Sequence, residues 1–335
     1  MLKIAVLGCG RIGQMHARNI AAHPRAALAS VYDIDVGAAQ RIGQELNVPV
    51  ARSVDEILAS PAVDAILIAT STNTHADLLE RAVAAGKPVL CEKPIDLSLA
   101  RVNRCADVIR GTSVPIMLGF VRRFDPGHLA TREAVRSGKI GQLRQVLITS
   151  RDPAPAPAAY LEVSGGIFRD MTIHDFDMAR FVLGEEPVEV MAQGSRLVLP
   201  ELMDRLGDYD SVTVLLRTAS GKQCVINNCR QASYGYDQRV EALGSLGMAL
   251  SDNRKPHEAK LYGEGLTGQA APYLHFFIER YAEAFSAEID EFVSAVHEKR
   301  APSVGYDDGR MALVLAEAAI KSLAEGRAVR LTELV

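Results

Sequence analysis

Through the first 120 residues, short unbroken apolar runs alternate with stretches in which apolar residues return every three or four positions. The runs at 2–7, 27–32, 65–69, 88–91 and 115–119 predict strands, and the periodic stretches at 12–22, 38–46, 74–85 and 100–110 predict helices. A strand without a polar side has no wet face, so the alternation predicts a parallel sheet covered by helices on both sides.

Past a helical stretch at 127–137 the pattern changes. Strand-like runs at 144–150, 211–218, 222–230, 236–243 and 248–252 follow one another, and Ser220-Gly221-Lys222 and Gly244-Ser245-Leu246-Gly247 read as hairpin connections. These predict an α+β domain, from residue 121 onward, built on a large, mostly antiparallel open sheet. The polar, Gly- and Pro-containing stretch 254–272 reads as a long loop, and 276–297 and 307–325 as helices, the last of a kind that often packs back on an earlier domain. Few helices are expected between 185 and 252 to cover the second face of this sheet. That face is therefore expected to join copies of the chain, as a dimer or tetramer.

A length of 335 residues suits two such domains, 1–120 and 121–335, and 48% hydrophobic with 23% charged residues is ordinary for a globular chain. The net charge of −4 comes without a run of Lys or Arg, which argues against nucleic acid or an anionic membrane as partner. No stretch approaches the roughly 20 apolar residues of a membrane span. The apolar start runs straight into glycines and reads as a first strand rather than a signal peptide, so a cytoplasmic protein is expected. Cys9, Cys91, Cys105, Cys224 and Cys229 are scattered, with no C-x-x-C pair, and no metal site is expected.

The first strand leads into Gly8-Cys9-Gly10-Arg11-Ile12-Gly13, which opens a helical pattern. In such a G-x-G-x-x-G turn the first glycine allows the tight bend, the second lets the backbone approach a pyrophosphate, and the third permits close helix–strand packing. The unpaired N–H groups of the helix start favour the phosphates. Asp33, 20 residues beyond Gly13 at the end of the second strand, is placed to accept from adenosine ribose hydroxyls and to repel a 2′-phosphate. NAD is the expected cofactor, with Gly8, Gly10, Arg11, Ile12, Gly13 and Asp33 around it.

Two further motifs, 69–75 with Ser71, Asn73 and His75, and 86–94 ending in Glu92-Lys93-Pro94, are followed by 119–126 and 164–180. With these in order the chain resembles the glucose-fructose oxidoreductase / inositol dehydrogenase / MocA family over nearly its whole length. The resemblance implies a catalytic group of Lys93, Asp170 and His174, and the likeness of 164–180 to inositol dehydrogenases implies a cyclic polyol such as myo-inositol as substrate. It also implies Arg122, Asp152 and Tyr236 in the polyol pocket. Many relatives carry Asn where this chain has Val121, a departure that bears on substrate choice.

Spacing adds that Asp170 and His174, four residues apart, share a face if one helix carries both. Oxidising a secondary alcohol needs a base for the hydroxyl proton, and imidazole titrates near working pH. His174 is the expected base, Asp170 its orienting group or a ligand to a neighbouring hydroxyl, and Lys93 the stabiliser of alkoxide charge. Ser71, Asn73, His75, Glu92 and Lys93 are expected beside the cofactor, since parallel sheets bind ligands at the carboxyl ends of their strands. Plainer readings stand beside these: Asp170 as an N-cap, His174 as a core histidine, Lys93 facing solvent, and Tyr236, sharing a strand face with Tyr234, as packing. Asp177 and Arg180 read as a surface i, i+3 pair. The competing functions are another sugar or aldose dehydrogenase, an NAD-dependent glycosidase, and a cofactor-binding regulator without catalysis, in which a proton relay has no use.

Overall fold

The computed structural model describes residues 1–334 and divides into two compact units, 1–121 with 284–313, and 122–283 with 314–334. In the first unit β1 (Leu2–Leu7), β2 (Ala26–Tyr32), β3 (Ala65–Ile68), β4 (Val89–Cys91) and β5 (Ile116–Leu118) form a parallel sheet in the order β2-β1-β3-β4-β5. A parallel bridge from Val31 to Val50 extends it beyond β2. Ile4, Val6, Leu7, Ile66, Ile68, Val89 and Leu90 are buried from both sides by the helices. Three of those helices start where short polar side chains cap them: Asp35 accepts from Ala38 N, Ser53 from Glu56 N and Ser98 from Arg101 N.

The returning segment 284–313 brings most of the helix Ala282–Glu298 and the start of Tyr306–Glu325 into this unit. Arg25 holds Asp290 at 2.5 Å, and the Tyr306 hydroxyl donates to Val102 O at 2.6 Å. On its buried face Phe285, Ile289, Phe292 and Val293 follow helical spacing, and Glu288 lies among them, fully buried.

In the second unit β6 (Leu143–Arg151), β7 (Pro187–Ser195), β8 (Ser211–Thr218), β9 (Gln223–Cys229), β10 (Asp237–Gly244) and β11 (Met248–Ser251) form one sheet with β14 (Val329–Arg330), in the order β11-β10-β6-β9-β8-β7-β14. Every neighbouring pair is antiparallel except β6 and β9, which run parallel with Ser150 opposite Asn228 and Arg151 opposite Cys229. The helices Pro126–Arg136 and Ile173–Leu183 pack on one face. Asp125 starts the first of them, its carboxylate accepting from Gly127 N and His128 N ahead of which stands Pro126. The strand β7 has no counterpart among the runs read from sequence: its buried positions alternate, but Pro187 opens it and Gly194 interrupts it. The stretch expected to be a long loop carries a hairpin, β12 (Lys260–Gly263) with β13 (Leu266–Ala270).

Glu288 supplies a test of the first unit's interior. Neither of its carboxylate oxygens finds a hydrogen-bond partner, and burial, with the charge of Glu92, pushes its pKa well above the carboxylate range. A folded-state pKa raised above the unfolded value gives stability that is complete at low pH and lost as pH rises. Glu288→Gln keeps the shape of the protonated acid, so its melting temperature should match the wild type near pH 4 and exceed it by a growing margin from pH 5 to 8. Calorimetric melts across that range check this, and parallel curves would refute it.

Candidate active site

The carboxyl ends of β1 and β3 meet at a contact that only glycine permits. Gly8 sits at φ +96°, and a Cβ there would lie 2.3 Å from Ala69 O; a Cβ on Gly13 would lie 1.9 Å from Gly8 O. Gly10 differs, with φ −70° and open space where its Cβ would point. The helix Arg11–Ala22 begins there with no capping side chain and no acid in its first turn, so its leading N–H groups are left for an anion. Asp33 is fixed at the end of β2, Oδ2 accepting from Cys9 N at 2.5 Å and Oδ1 from Asp35 N at 2.8 Å. Arg11 is exposed and Ile12 half-buried. An open Gly10, an uncapped helix start and a fixed carboxylate suit a dinucleotide.

Ser71 and Asn73 are exposed around the short turn Thr72–Thr74 that follows β3. His75 is buried, its ring nitrogens 2.8 Å from Pro94 O and 3.0 Å from Thr70 O, so it ties the turn after β4 to the turn after β3. Glu92 points inward: Oε1 lies 2.8 Å from His16 Nε2, Oε2 accepts from Lys93 N at 3.3 Å, and a Cβ on Gly119 would come within 2.9 Å of it. His16, Glu92 and Glu288 gather within 4.8 Å of one another. Lys93 is half-buried just past β4, and its bond to Pro94 is cis.

In the second unit Asp170 and His174 do not lie on one continuous helix, as their spacing suggested. Asp170 ends the short helix Ile167–Asp170, His174 belongs to Ile173–Leu183, and His174 N bonds Met171 O rather than the Asp170 carbonyl. The break is anchored by Thr172, whose hydroxyl donates to Asn228 Oδ1 at 2.6 Å. Thr172, not Asp170, occupies the N-cap position of the second helix. The Asp170 carboxylate is engaged at both oxygens: the Tyr160 hydroxyl donates to Oδ1 at 2.7 Å and Arg230 Nη1 to Oδ2 at 3.1 Å. Asp152 follows β6, and burial, with the neighbouring charge of Asp170, raises its pKa to about 6.

Beneath this cluster lies a buried polar layer. Arg122 Nη1 donates to Asp175 Oδ1 at 2.6 Å and Nη2 to Ser150 Oγ at 3.2 Å, while Asn228 Nδ2 donates to Asp175 Oδ2 at 2.8 Å. Burial pushes the Asp175 carboxyl upward and Arg122 pulls against it. Arg122 thus spends two nitrogens inside the protein. Asp177, read as part of a surface pair, is buried and held by Arg123 at 2.8 and 2.6 Å, with Arg180 at 3.9 Å. Tyr236 and Tyr234 do not share a strand face, because both precede β10 and Gly235 between them sits at φ +124°. Tyr236 is buried edge-on against Phe276 and Tyr281, whereas Tyr234 turns out to bond Arg151 and Asp237.

Sequence reading missed Arg230, Tyr160 and Asn228. A signal existed for Arg230: Cys224, Ile226 and Asn228 alternate on the buried face of β9, so the next inward position puts a guanidinium in the core, where it needs carboxylate partners.

Residues 2–120 match the family described as "Oxidoreductase family, NAD-binding Rossmann fold", and residues 128–250 match "GFO/IDH/MocA C-terminal domain". The chain is 47% identical over 330 residues to the Inositol 2-dehydrogenase of Rhizobium meliloti, covering 98% of each. It is 44% identical to the Myo-inositol 2-dehydrogenase of Thermotoga maritima over the whole of both chains. The crystal structure of scyllo-inositol dehydrogenase from Lactobacillus casei with bound cofactor NAD(H) and scyllo-inositol aligns over 99% of both chains, at 28% identity with a TM-score of 0.92. The chain belongs to the GFO/IDH/MocA family of oxidoreductases, with an NAD-binding Rossmann fold as its first unit.

The glycines separate fold from cofactor. Gly10→Ala meets no atom within 4 Å and strains no dihedral, so it should keep the melting temperature while NAD affinity falls about tenfold or more. Gly8→Ala, forced against Ala69 O, should destabilise the fold itself. NAD titration by fluorescence quenching alongside thermal melts checks both. A Gly10→Ala protein binding NAD like the wild type would remove Gly10 from the site.

Proposed function

We propose that this chain oxidises a ring hydroxyl of a cyclic polyol, myo-inositol to its 2-keto product, with NAD as the hydride acceptor. The observation that carries this reading is full-length identity of 47% with a relative named Inositol 2-dehydrogenase. The acidic cluster of Asp152 and Asp170 supports it, since a ligand with a hydroxyl on every carbon is held by paired acceptors and donors. Nicotinamide, when bound, supplies the two-electron acceptor.

The protein's own residues supply proton handling and orientation. His174 takes the hydroxyl proton, Asp170 orients the imidazole or holds the neighbouring hydroxyl, and Lys93 stabilises charge developing on the substrate oxygen. Asp152, Arg122 and Tyr236 shape the polyol pocket, Arg122 through Asp175 and Tyr236 through its ring contacts. Gly8, Gly10, Arg11, Ile12 and Gly13 receive the pyrophosphate and Asp33 the adenosine ribose. Ser71, Asn73, His75, Glu92 and Lys93 line the nicotinamide side. Residues 1–121 with 284–313 serve as the cofactor unit, and 122–283 with the chain from 314 as the substrate and assembly unit, a division that moves the segment 284–313 out of the expected 121–335 domain.

Among the described residues the helices Pro126–Arg136 and Ile173–Leu183 pack on one face of the second unit's sheet, and on the other Leu147, Leu215 and Leu243 are each about 40% exposed. We assign this face to contact between copies of the chain, as a dimer or tetramer. Among the described residues no helix is long and apolar enough to cross a membrane. The five cysteines form no disulfide, which suits a reducing cytoplasm.

Incubation with myo-inositol and NAD should raise NADH absorbance, against a panel of other polyols and sugars; no turnover of any of them would sink the assignment. Lys93→Ala should lower turnover by about 100-fold or more with NAD affinity nearly unchanged. Near-normal activity would remove Lys93 from the catalytic group. Light scattering at micromolar concentration should give a dimer or larger, and Leu215→Glu should shift it toward monomer; a monodisperse wild-type monomer would end the interface assignment.

A further inference from the structure

We propose that Tyr160 and Arg230 are positioning residues for this reaction, clamping the Asp170 carboxylate at both oxygens so that its plane keeps one orientation. The inference rests on the dehydrogenase reading of the site. A carboxylate turns easily about its last torsion, and an acceptor that must meet a substrate hydroxyl or an imidazole N–H cannot be left to turn. Here the Tyr160 hydroxyl at 2.7 Å and Arg230 Nη1 at 3.1 Å fix the carboxylate plane.

How each clamp residue arrives is visible in the chain. Tyr160 closes the run Pro153-Ala154-Pro155-Ala156-Pro157-Ala158-Ala159, three of whose residues have φ preset by the ring. That stiff strap delivers the phenol to Asp170 with little freedom left to lose. Burial, then the charge of Asp170, pushes the phenol far above its ordinary pKa, so it remains a donor at any working pH. Arg230 continues the buried side of β9, and the pairing of Arg151 with Cys229 places it level with Asp152 at the end of β6.

Arg230 is poorly built for a purely structural task. It is 1% exposed, yet its Nε and Nη2 make no hydrogen bond, the nearest carboxylate to Nη2 being Asp208 at 3.6 Å. Donors left unmade at such depth are destabilising. What the placement achieves is a single cation serving an acidic group: Asp170 by direct contact, Asp208 close by, and Asp152 through its field.

The test uses Tyr160→Phe, Arg230→Lys and Arg230→Met in the full chain, with myo-inositol and NAD. Tyr160→Phe should lower kcat about 10- to 100-fold with NAD affinity unchanged. It should also enlarge the primary isotope effect with substrate deuterated at the reacting carbon. Removing the cation in Arg230→Met takes away a charge that holds Asp152 down, so the acidic limb of the kcat/KM profile should move to higher pH, and Arg230→Lys should return part of the shift. A scaffold role alone lowers the melting temperature and the active fraction while leaving isotope effect and pH profile as in the wild type. That result in folded Tyr160→Phe and Arg230→Lys, beside an active wild type, overturns the clamp alone. A wild type that oxidises no polyol overturns the clamp together with the function beneath it.

Discussion

A guanidinium taken out of water demands carboxylates, and the burial of Arg230 to 1% exposure dictates what surrounds the ends of β6 and β9. Because these are the one parallel pair in an otherwise antiparallel sheet, their carboxyl ends emerge side by side, carrying Asp152 and Arg230. Asp170 has to be delivered to the same place, and one unbroken helix running from Ile167 to Leu183 does not form. The chain breaks at Met171 and Thr172 instead, and Thr172 is pinned to Asn228 on β9. Breaking a buried ion pair such as Arg230 with Asp170 by removing one partner typically costs about 3–5 kcal/mol. The arrangement is therefore held by charge as well as by packing.

The first unit solves a related problem with backbone alone. Its parallel strands β1 and β3 end side by side, and what meets there is Gly8, Gly13 and the Ala69 carbonyl, at distances no Cβ tolerates. Where the second unit gathers side chains of opposite charge, the first strips side chains away to present N–H groups. The two designs suit different ligands. A pyrophosphate is recognised through its charge by main-chain dipoles, whereas a ring of hydroxyls offers no charge and has to be read by individually placed acceptors and donors.

Legibility in the sequence followed this division. Glycines at fixed spacing and an acid at a strand's end have local causes, so Gly8, Gly10, Gly13 and Asp33 and the five strands around them were readable from order alone. In the second unit the antiparallel strands and their hairpins were readable, because alternation and turn residues are local too. Contacts that depend on which strands become neighbours were not. The pairing of β6 with β9, which joins Asp152 to Arg230, spans most of the unit, and Asp177, whose i, i+3 pair with Arg180 is present at 3.9 Å, is buried because Arg123, 54 residues away, holds it at 2.8 and 2.6 Å. The Asp170–His174 spacing misled because four residues share a face only within one continuous helix. Tyr236 was placed on a strand that begins one residue later, past the bend at Gly235.

The acids in the interior tie the chemistry to stability. Asp152, Asp175 and Glu288 are all raised, chiefly by burial, so each favours the folded state at low pH and gives up that contribution as pH rises, Asp152 through about 6. Surface acids act in the opposite sense. Glu185, drawn down to about 2 by Ser220, and Asp290, lowered by Arg25, contribute above the ordinary carboxylate range and lose that contribution as pH falls. The buried acids therefore add most to folding stability on the acidic side of neutrality. Alcohol oxidation has the opposite preference, since a base accepts the hydroxyl proton only when it is deprotonated, and higher pH fills that state. The acids stand in separate environments: Glu288 is buried with no hydrogen-bond partner at either oxygen, Asp175 is paired with Arg122, and Asp170 is clamped by Tyr160 and Arg230.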